Sequence, residues 1–210
     1  MRGSQPLPMP RICPSKEELM KKMKSLFVRE YDEDGKFQST PQITEGCEWV
    51  VNGEGVATRK YDGTCCLVMN GELYKRFDFK PGRTLPHGAI PCQDEPDEIT
   101  GHFPHWVKCD ESEPQDKWHI KAFINAGEME DGTYELCGVH FANNIDKLAI
   151  DGDVFVRHGA DVLGVQDRTF AGIKEYLRNH FIEGIVFHRG NGEMCKVKRS
   201  DFGISWGKNR

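Results

Sequence analysis

Four turn dipeptides, each set between β-rich runs, constrain this chain more than anything else in it: Asp34-Gly35, Asn52-Gly53, Asn70-Gly71 and Asn191-Gly192. Asn or Asp followed by Gly accepts the positive φ angles of a two-residue hairpin turn, so each pair predicts two antiparallel strands joined locally. The flanking runs are SLFVREY and KFQST, EWVV and GVATRK, TCCLVM and ELYKRFD, and IEGIVFH and EMCKVK. Strands are also expected at 133–140 and 153–156. Helices are expected over 15–24, capped by Ser15, over 116–127, stopped by Gly127, and over 167–180, with Phe170, Ile173 and Leu177 on one face. Local hairpins with few helices predict an antiparallel α+β fold rather than a doubly wound parallel sheet.

Residues 79–115 interrupt the pattern with six prolines and the acidic run DEPDE, and read as a long loop. The Pro-rich opening, 1–14, reads as a flexible segment, and 15–210 as a single domain. No run is long and apolar enough for a membrane helix, and no signal-peptide core opens the chain. The net charge of −5 excludes a basic coat for nucleic acid, so any such contact must be local. Eight scattered cysteines without a CxxC pair predict reduced thiols and a cytoplasmic location. Cys92, His102, His105, Cys109 and His119 are spaced too irregularly for a zinc motif.

GEGVATRK, HRGN and DFG imitate pieces of a protein kinase. The mechanics do not fit: Lys60 follows the Gly-rich turn too closely, Gly190 stands where a catalytic aspartate belongs, and no helical lobe precedes the DFG.

The segment KYDG, with Lys60, Asp62 and Gly63, is by itself compatible with a solvated lysine beside a turn. Four further segments follow it in order. Arg76 and Lys80 share one face of a strand by two-residue alternation. Glu135 sits inside the apolar TYELCG, where an unpaired carboxylate is costly to bury. Glu183 opens the apolar strand EGIVF. Lys196 and Lys198 flank Val197 and repel one another unless an anion lies between them.

This ordered set resembles motifs I, Ia, III/IIIa, IV and V of the covalent nucleotidyltransferases, the polynucleotide ligases and mRNA capping enzymes. It is most similar to ATP-dependent 5′–3′ RNA ligases. KYDGTCC, RFDFKPG, GHFPHW, KWH and EGIVFH…CKVKRSDFG together resemble a small RNA ligase group found in bacteria and animals, over about residues 25–206. The resemblance implies an antiparallel-sheet adenylyltransferase domain (nucleotidyltransferase, ATP-grasp-like); as a departure from capping enzymes and DNA ligases, no C-terminal OB-fold is expected after motif V. It implies Lys60 as nucleophile toward the ATP α-phosphate, helped by Lys196 and Lys198. Asp62 and Gly63 complete the nucleotide motif, Glu135 binds the ribose, and Arg76 binds the ribose or an RNA phosphate. Glu183 binds Mg2+, with Mn2+ as a substitute. The implied substrates are ATP and RNA ends bearing a 5′-phosphate and a 3′-OH. Arg76, Lys196, Lys198 and magnesium are expected to lower the Lys60 pKa.

Arg59 departs from the acidic residue many ligases place before the lysine. The missing closure domain leaves the loop 79–115 and Lys21, Lys22 and Lys24 as candidates to hold pyrophosphate or RNA. Phe141 and Tyr61 are each either stacking partners for adenine or packing residues. His158 and His188 are each either structural or a phosphate contact. Competing readings are a GTP-using capping-type transferase, a DNA ligase, a non-catalytic nucleotide or RNA-end sensor, and transfer of AMP to another acceptor.

Overall fold

In the computed structural model, which describes residues 20–207 apart from 32, 36, 81 and 99, Asn70 and Gly71 take φ of 55° and 73°. That left-handed pair closes the tightest hairpin, between β5 (Thr64–Met69) and β6 (Glu72–Phe79). The hairpins at 34–35 and 191–192 also form. They join β2 (Phe27–Tyr31) to β3 (Phe37–Ile43), and β11 (Gly184–His188) to β12 (Met194–Lys198).

The pair Asn52-Gly53 does not close a hairpin. Residues Glu48–Val51 form a short helix, α1, and only β4 (Val56–Lys60) is a strand. The backbone N–H groups of Asn52 and Gly53 turn back to the Glu48 and Val50 carbonyls, which buries Trp49 and Val50. The loop 79–115 is likewise partly sheet. β7 (Ile90–Pro91) and β8 (Phe103–Lys108) extend it, and Trp106 of GHFPHW is fully buried. The expected helix over 15–24 also fails where it can be seen. Residues 20–23 are irregular, and β1 (Lys24–Ser25) runs parallel to β12. Unpaired edge groups of β12 outweigh the helical spacing there. Residues 1–14, and Ser15 with its cap, lie outside the described residues.

Two main sheets result. One has four strands in the order β1-β12-β11-β4, the other six in the order β10-β9-β5-β6-β8-β7. Here β9 is Gly132–Gly138 and β10 is Asp153–Arg157. All pairings except β1 with β12 are antiparallel. The architecture is thus mixed α+β, mostly antiparallel and poor in helix. No helix among the described residues is long and apolar enough to cross a membrane.

Each sheet has its own core. α3 (Phe170–Asn179) is capped by the Thr169 side chain, which accepts from the Gly172 N–H at 3.1 Å. It seats Ile173 and Leu177 against Ile185, Phe187 and Val197 of the four-stranded sheet. α2 (Lys117–Ala126) packs Ala122 against Cys66, Val68 and Leu136 on the outer face of the other sheet. The alternate residues Leu67 and Met69 pack with Met20 and Trp106 on the opposite face. A disulfide joins Cys47, at the start of α1, to Cys195 of β12. This corrects the expectation of reduced thiols for these two: the fold sets the start of α1 against β12 and joins cysteines 148 residues apart, while Cys65, Cys66, Cys92, Cys109 and Cys137 stay free.

The kinase-like DFG has a local structural role. The Asp201 carboxylate accepts from the Lys198 N–H at 2.8 Å and from Arg29 at 2.7 Å, and Gly203 ends the turn at φ 69°.

Candidate active site

The segment KYDG is the crossing point between the two sheets. Lys60 ends β4 and Thr64 begins β5, so three residues carry the chain from one sheet to the other. The glycine is required by crowding. A Cβ at Gly63 would stand 2.3 Å from the Leu136 carbonyl oxygen, while the Gly63 N–H donates to Glu135 Oε1 at 3.1 Å. A cleft of about 410 Å3 opens at this crossing, with Lys60 and Lys196 on one wall and Gly63, Arg76 and Glu135 on the other.

On the first wall, Gly184 pairs with Lys60 on one side and with Lys198 on the other. The glycine leaves room between the two lysines, and its predecessor Glu183 fills that room with a carboxylate. Glu183 Oε2 accepts from Lys60 Nζ at 2.5 Å, and Oε1 lies 3.9 Å from Lys198 Nζ. Lys60 also donates to the Tyr61 carbonyl at 3.1 Å. Lys196 pairs in register with Val186, one step along the same face. Glu183 and Lys198 do not line the cleft themselves and meet it through the Lys60 amine.

Charge in this cluster is distributed differently from the sequence expectation. Burial works against the Lys60 proton, but Glu183, Glu135 and Asp62 attract it more strongly, so the Lys60 pKa is raised, not lowered. Burial also lifts Glu183, against the pull of Lys60. The lysine that is depressed is Lys196, brought down to about 8 by burial and then by Lys60, Lys198, Arg29 and Arg76. The physical reason is placement: the buried carboxylate sits on Lys60, while Lys196 has cations for neighbours.

On the second wall, Glu135 Oε2 faces His158 Nε2 at 3.0 Å. Arg76 donates to the Met20 carbonyl at 2.7 Å, which ties the incoming N-terminal segment across the cleft. Lys80 lies beyond the end of β6, exposed and away from the cleft wall. Asp62 is turned to scaffolding: its backbone N–H donates to Asp146 at 2.8 Å, and its carboxylate accepts from the Trp206 indole at 2.9 Å. Arg59 pairs with the same Asp146 at 2.9 Å and lies over the Tyr61 ring, whose hydroxyl donates to Asp161. Phe141 packs into the α2 side of the six-stranded sheet and meets His119 edge-on, which makes it a packing residue.

Of the N-terminal lysines, Lys21 and Lys22 line the cleft, though Lys22 is paired with Asp97 at 2.6 Å. Lys24 donates to the Glu45 carbonyl. His158, His188 and Cys65 also line the cleft; the sequence offered the two histidines as structural residues or phosphate contacts and did not single out Cys65. Two-residue alternation from Glu135 and its strand partners is the signal that finds Cys65 and His158.

No protein-family model matches the chain. Curated proteins named RNA ligase 1 from Rattus norvegicus and Mus musculus are each 27% identical to it over 229 residues, spanning 72% of this chain and 68% of theirs. The RNA ligase 1 of Danio rerio is 25% identical over 222 residues, spanning 71% of this chain and 68% of its own. The chain is similar to these proteins, and the matches support an RNA ligase family assignment.

Proposed function

We propose that this chain is an ATP-dependent RNA ligase that joins RNA 3′-OH and 5′-phosphate ends through an adenylate carried on Lys60. The observation that supports the reading most is the meeting of Lys60, Glu183 and Lys198 at one edge of a cleft whose walls bring Lys196 and Glu135 face to face. The Lys60 nitrogen attacks the α-phosphorus, an N–P bond forms, and the bond to pyrophosphate breaks. Lys196 and Lys198 neutralise charge on the phosphate oxygens, and an anion between them relieves their mutual repulsion. Glu135, fixed through Gly63, accepts from the ribose hydroxyls. The adenylate then passes to an RNA 5′-phosphate, and the 3′-OH of the second end displaces AMP.

Lys60 must lose a proton before it can attack. Burial already disfavours its charge, and the attraction of Glu183 is what retains it. Glu183 is a hard oxygen donor beside a cleft that would hold phosphates, reached through the Lys60 amine, which fits magnesium. Magnesium bound there would supply positive charge that competes with the Lys60 ammonium for that carboxylate.

The test is a denaturing gel after incubation with α-labelled ATP and magnesium. An acid-labile, alkali-stable label on the protein, absent in Lys60→Ala, is expected. No covalent label would leave a nucleotide or RNA-end sensor in its place. Labelling by GTP instead of ATP would favour a capping-type transferase, and sealing of nicked DNA but not RNA would favour a DNA ligase.

A further inference from the structure

The wall that carries Glu135 also carries two strong donors that the chemistry above leaves unused. Cys65 stands directly across from Glu135 in the β5–β9 register, so the two side chains leave the same face of the sheet. Val156 of β10 is the partner of Glu135 on its other side. His158 lies two residues further on, and its N–H donates to the Thr133 carbonyl at 3.0 Å. Two adjacent strands and the turn just past a third therefore present a thiol, a carboxylate and an imidazole to the cleft.

The donor atoms of these three residues all lie within 4.8 Å of one another, and His158 Nε2 is 3.0 Å from Glu135 Oε2. Ligands of a tetrahedral zinc ion, with bonds of about 2.0–2.3 Å, are separated by roughly 3.3–3.8 Å. Closing the set on one ion takes side-chain rotation of about an ångström and no movement of the sheet. Among the described residues no other group of three His, Cys, Asp or Glu converges in this way, the loop residues Cys92, His102, His105, Cys109 and His119 included.

We propose that Cys65, Glu135 and His158 form a binding site for a thiophilic divalent cation, zinc above all, whose remaining coordination positions open into the cleft. Sulfur and imidazole select such ions over magnesium, whereas Glu183 on the opposite wall offers oxygen alone. The two walls thus sort hard and soft cations. Binding displaces the Cys65 thiol proton, so affinity rises with pH. Burial, and then Glu135, push the Cys65 thiol pKa well up against the opposing pull of Arg76, so the thiol keeps its proton until an ion displaces it. Occupancy takes Glu135 away from the nucleotide, so the ion inhibits in competition with ATP; this last consequence, unlike the binding itself, rests on the proposed function.

The experiment is a cobalt titration of the full chain, free of nucleotide and chelator, followed by absorption. One cobalt per chain is expected, with a sulfur-to-cobalt charge-transfer band and four-coordinate d–d bands that zinc abolishes. Cys65→Ser loses the charge-transfer band, and His158→Ala weakens binding by about 100-fold or more, since even second-shell changes cost about 10–100-fold. Persistence of the band in Cys65→Ser, or an unchanged affinity in His158→Ala, overturns the site, as does the absence of a band in the unsubstituted chain. A second arm measures ATP labelling of the protein with added zinc, where inhibition relieved by excess ATP is expected. A chain that binds cobalt but takes no label keeps the metal site and loses the ligase reading; a chain that takes label but shows no cobalt band does the reverse.

Discussion

The two walls of the cleft handle buried charge in opposite ways. The four-stranded sheet sets Lys60 and Lys198 on a single carboxylate, Glu183, and leaves Lys196 among cations. The six-stranded sheet sets its carboxylate, Glu135, among hydrogen-bonding partners: the Gly63 N–H and the His158 imidazole. The first wall carries an excess of positive charge that an incoming phosphate would relieve. The second is already satisfied and suits a neutral, hydrogen-bonding ligand such as a ribose or, with Cys65, a soft cation. The contrast teaches that the charge on Lys60 is set by burial and by its carboxylate partner, not by its like-charged neighbours.

The sharpest way to break that contrast is to remove the shared carboxylate. Glu183→Gln is expected to cost about 10²–10³-fold in the rate of adenylate formation, and to lower the Lys60 pKa because the principal attraction on its proton is gone. Single-turnover labelling against pH measures both, and an unchanged rate would remove Glu183 from the chemistry.

On the other wall the loss should appear in binding. Glu135→Ala is expected to raise the KM for ATP by about 10–100-fold with a smaller effect on kcat, as befits an interaction made equally in ground and transition states. An equal fall in kcat would mean that this wall takes part in the chemical step.

The crossing between the sheets should be intolerant of any side chain. In Gly63→Ala the new Cβ meets the Leu136 oxygen and the Cys137 sulfur at 2.3 and 2.8 Å. A loss of roughly 1–3 kcal/mol in denaturant unfolding is expected.

The smallest effect has the opposite sign. Lys196 titrates at about 8 in the folded chain against an ordinary 10.5, so the folded state binds fewer protons than the unfolded one between those values. Stability contributed at this site therefore rises with pH across that window, and the penalty is full below pH 8. Lys196→Met is expected to stabilise the protein by about 1–2 kcal/mol at pH 7, with the gain fading by pH 10, although it impairs adenylate formation. Urea unfolding at the two pH values checks it.

Much of the scaffold was readable in the residues, for reasons that differ along the chain. Asn70-Gly71 and Asn191-Gly192 mark their hairpins because few residues accept the positive φ that Asn70, Gly71 and Gly192 take. Asn52-Gly53 misled because a helix can end in the same dipeptide. β8 was hidden by Pro104 and its proline-rich surroundings, although Pro104 still stands opposite Asp78 in the sheet. β1 followed a helical pattern but took its conformation from β12, a partner more than 170 residues away that no local pattern reveals. The ordered motifs singled out Lys60, Glu135, Glu183, Lys196 and Lys198. They could not tell which lysine the carboxylate holds, since that depends on a 2.5 Å contact between β4 and the residue before β11.

That distinction can be tested on one peptide map. The protein is incubated with ATP and magnesium, the adduct is stabilised, and the adenylated residue is identified by mass spectrometry after digestion. The account predicts a single AMP on Lys60, the lysine paired with Glu183. An adduct on Lys196, the lysine that most readily gives up its proton, or no adduct at all, would contradict it.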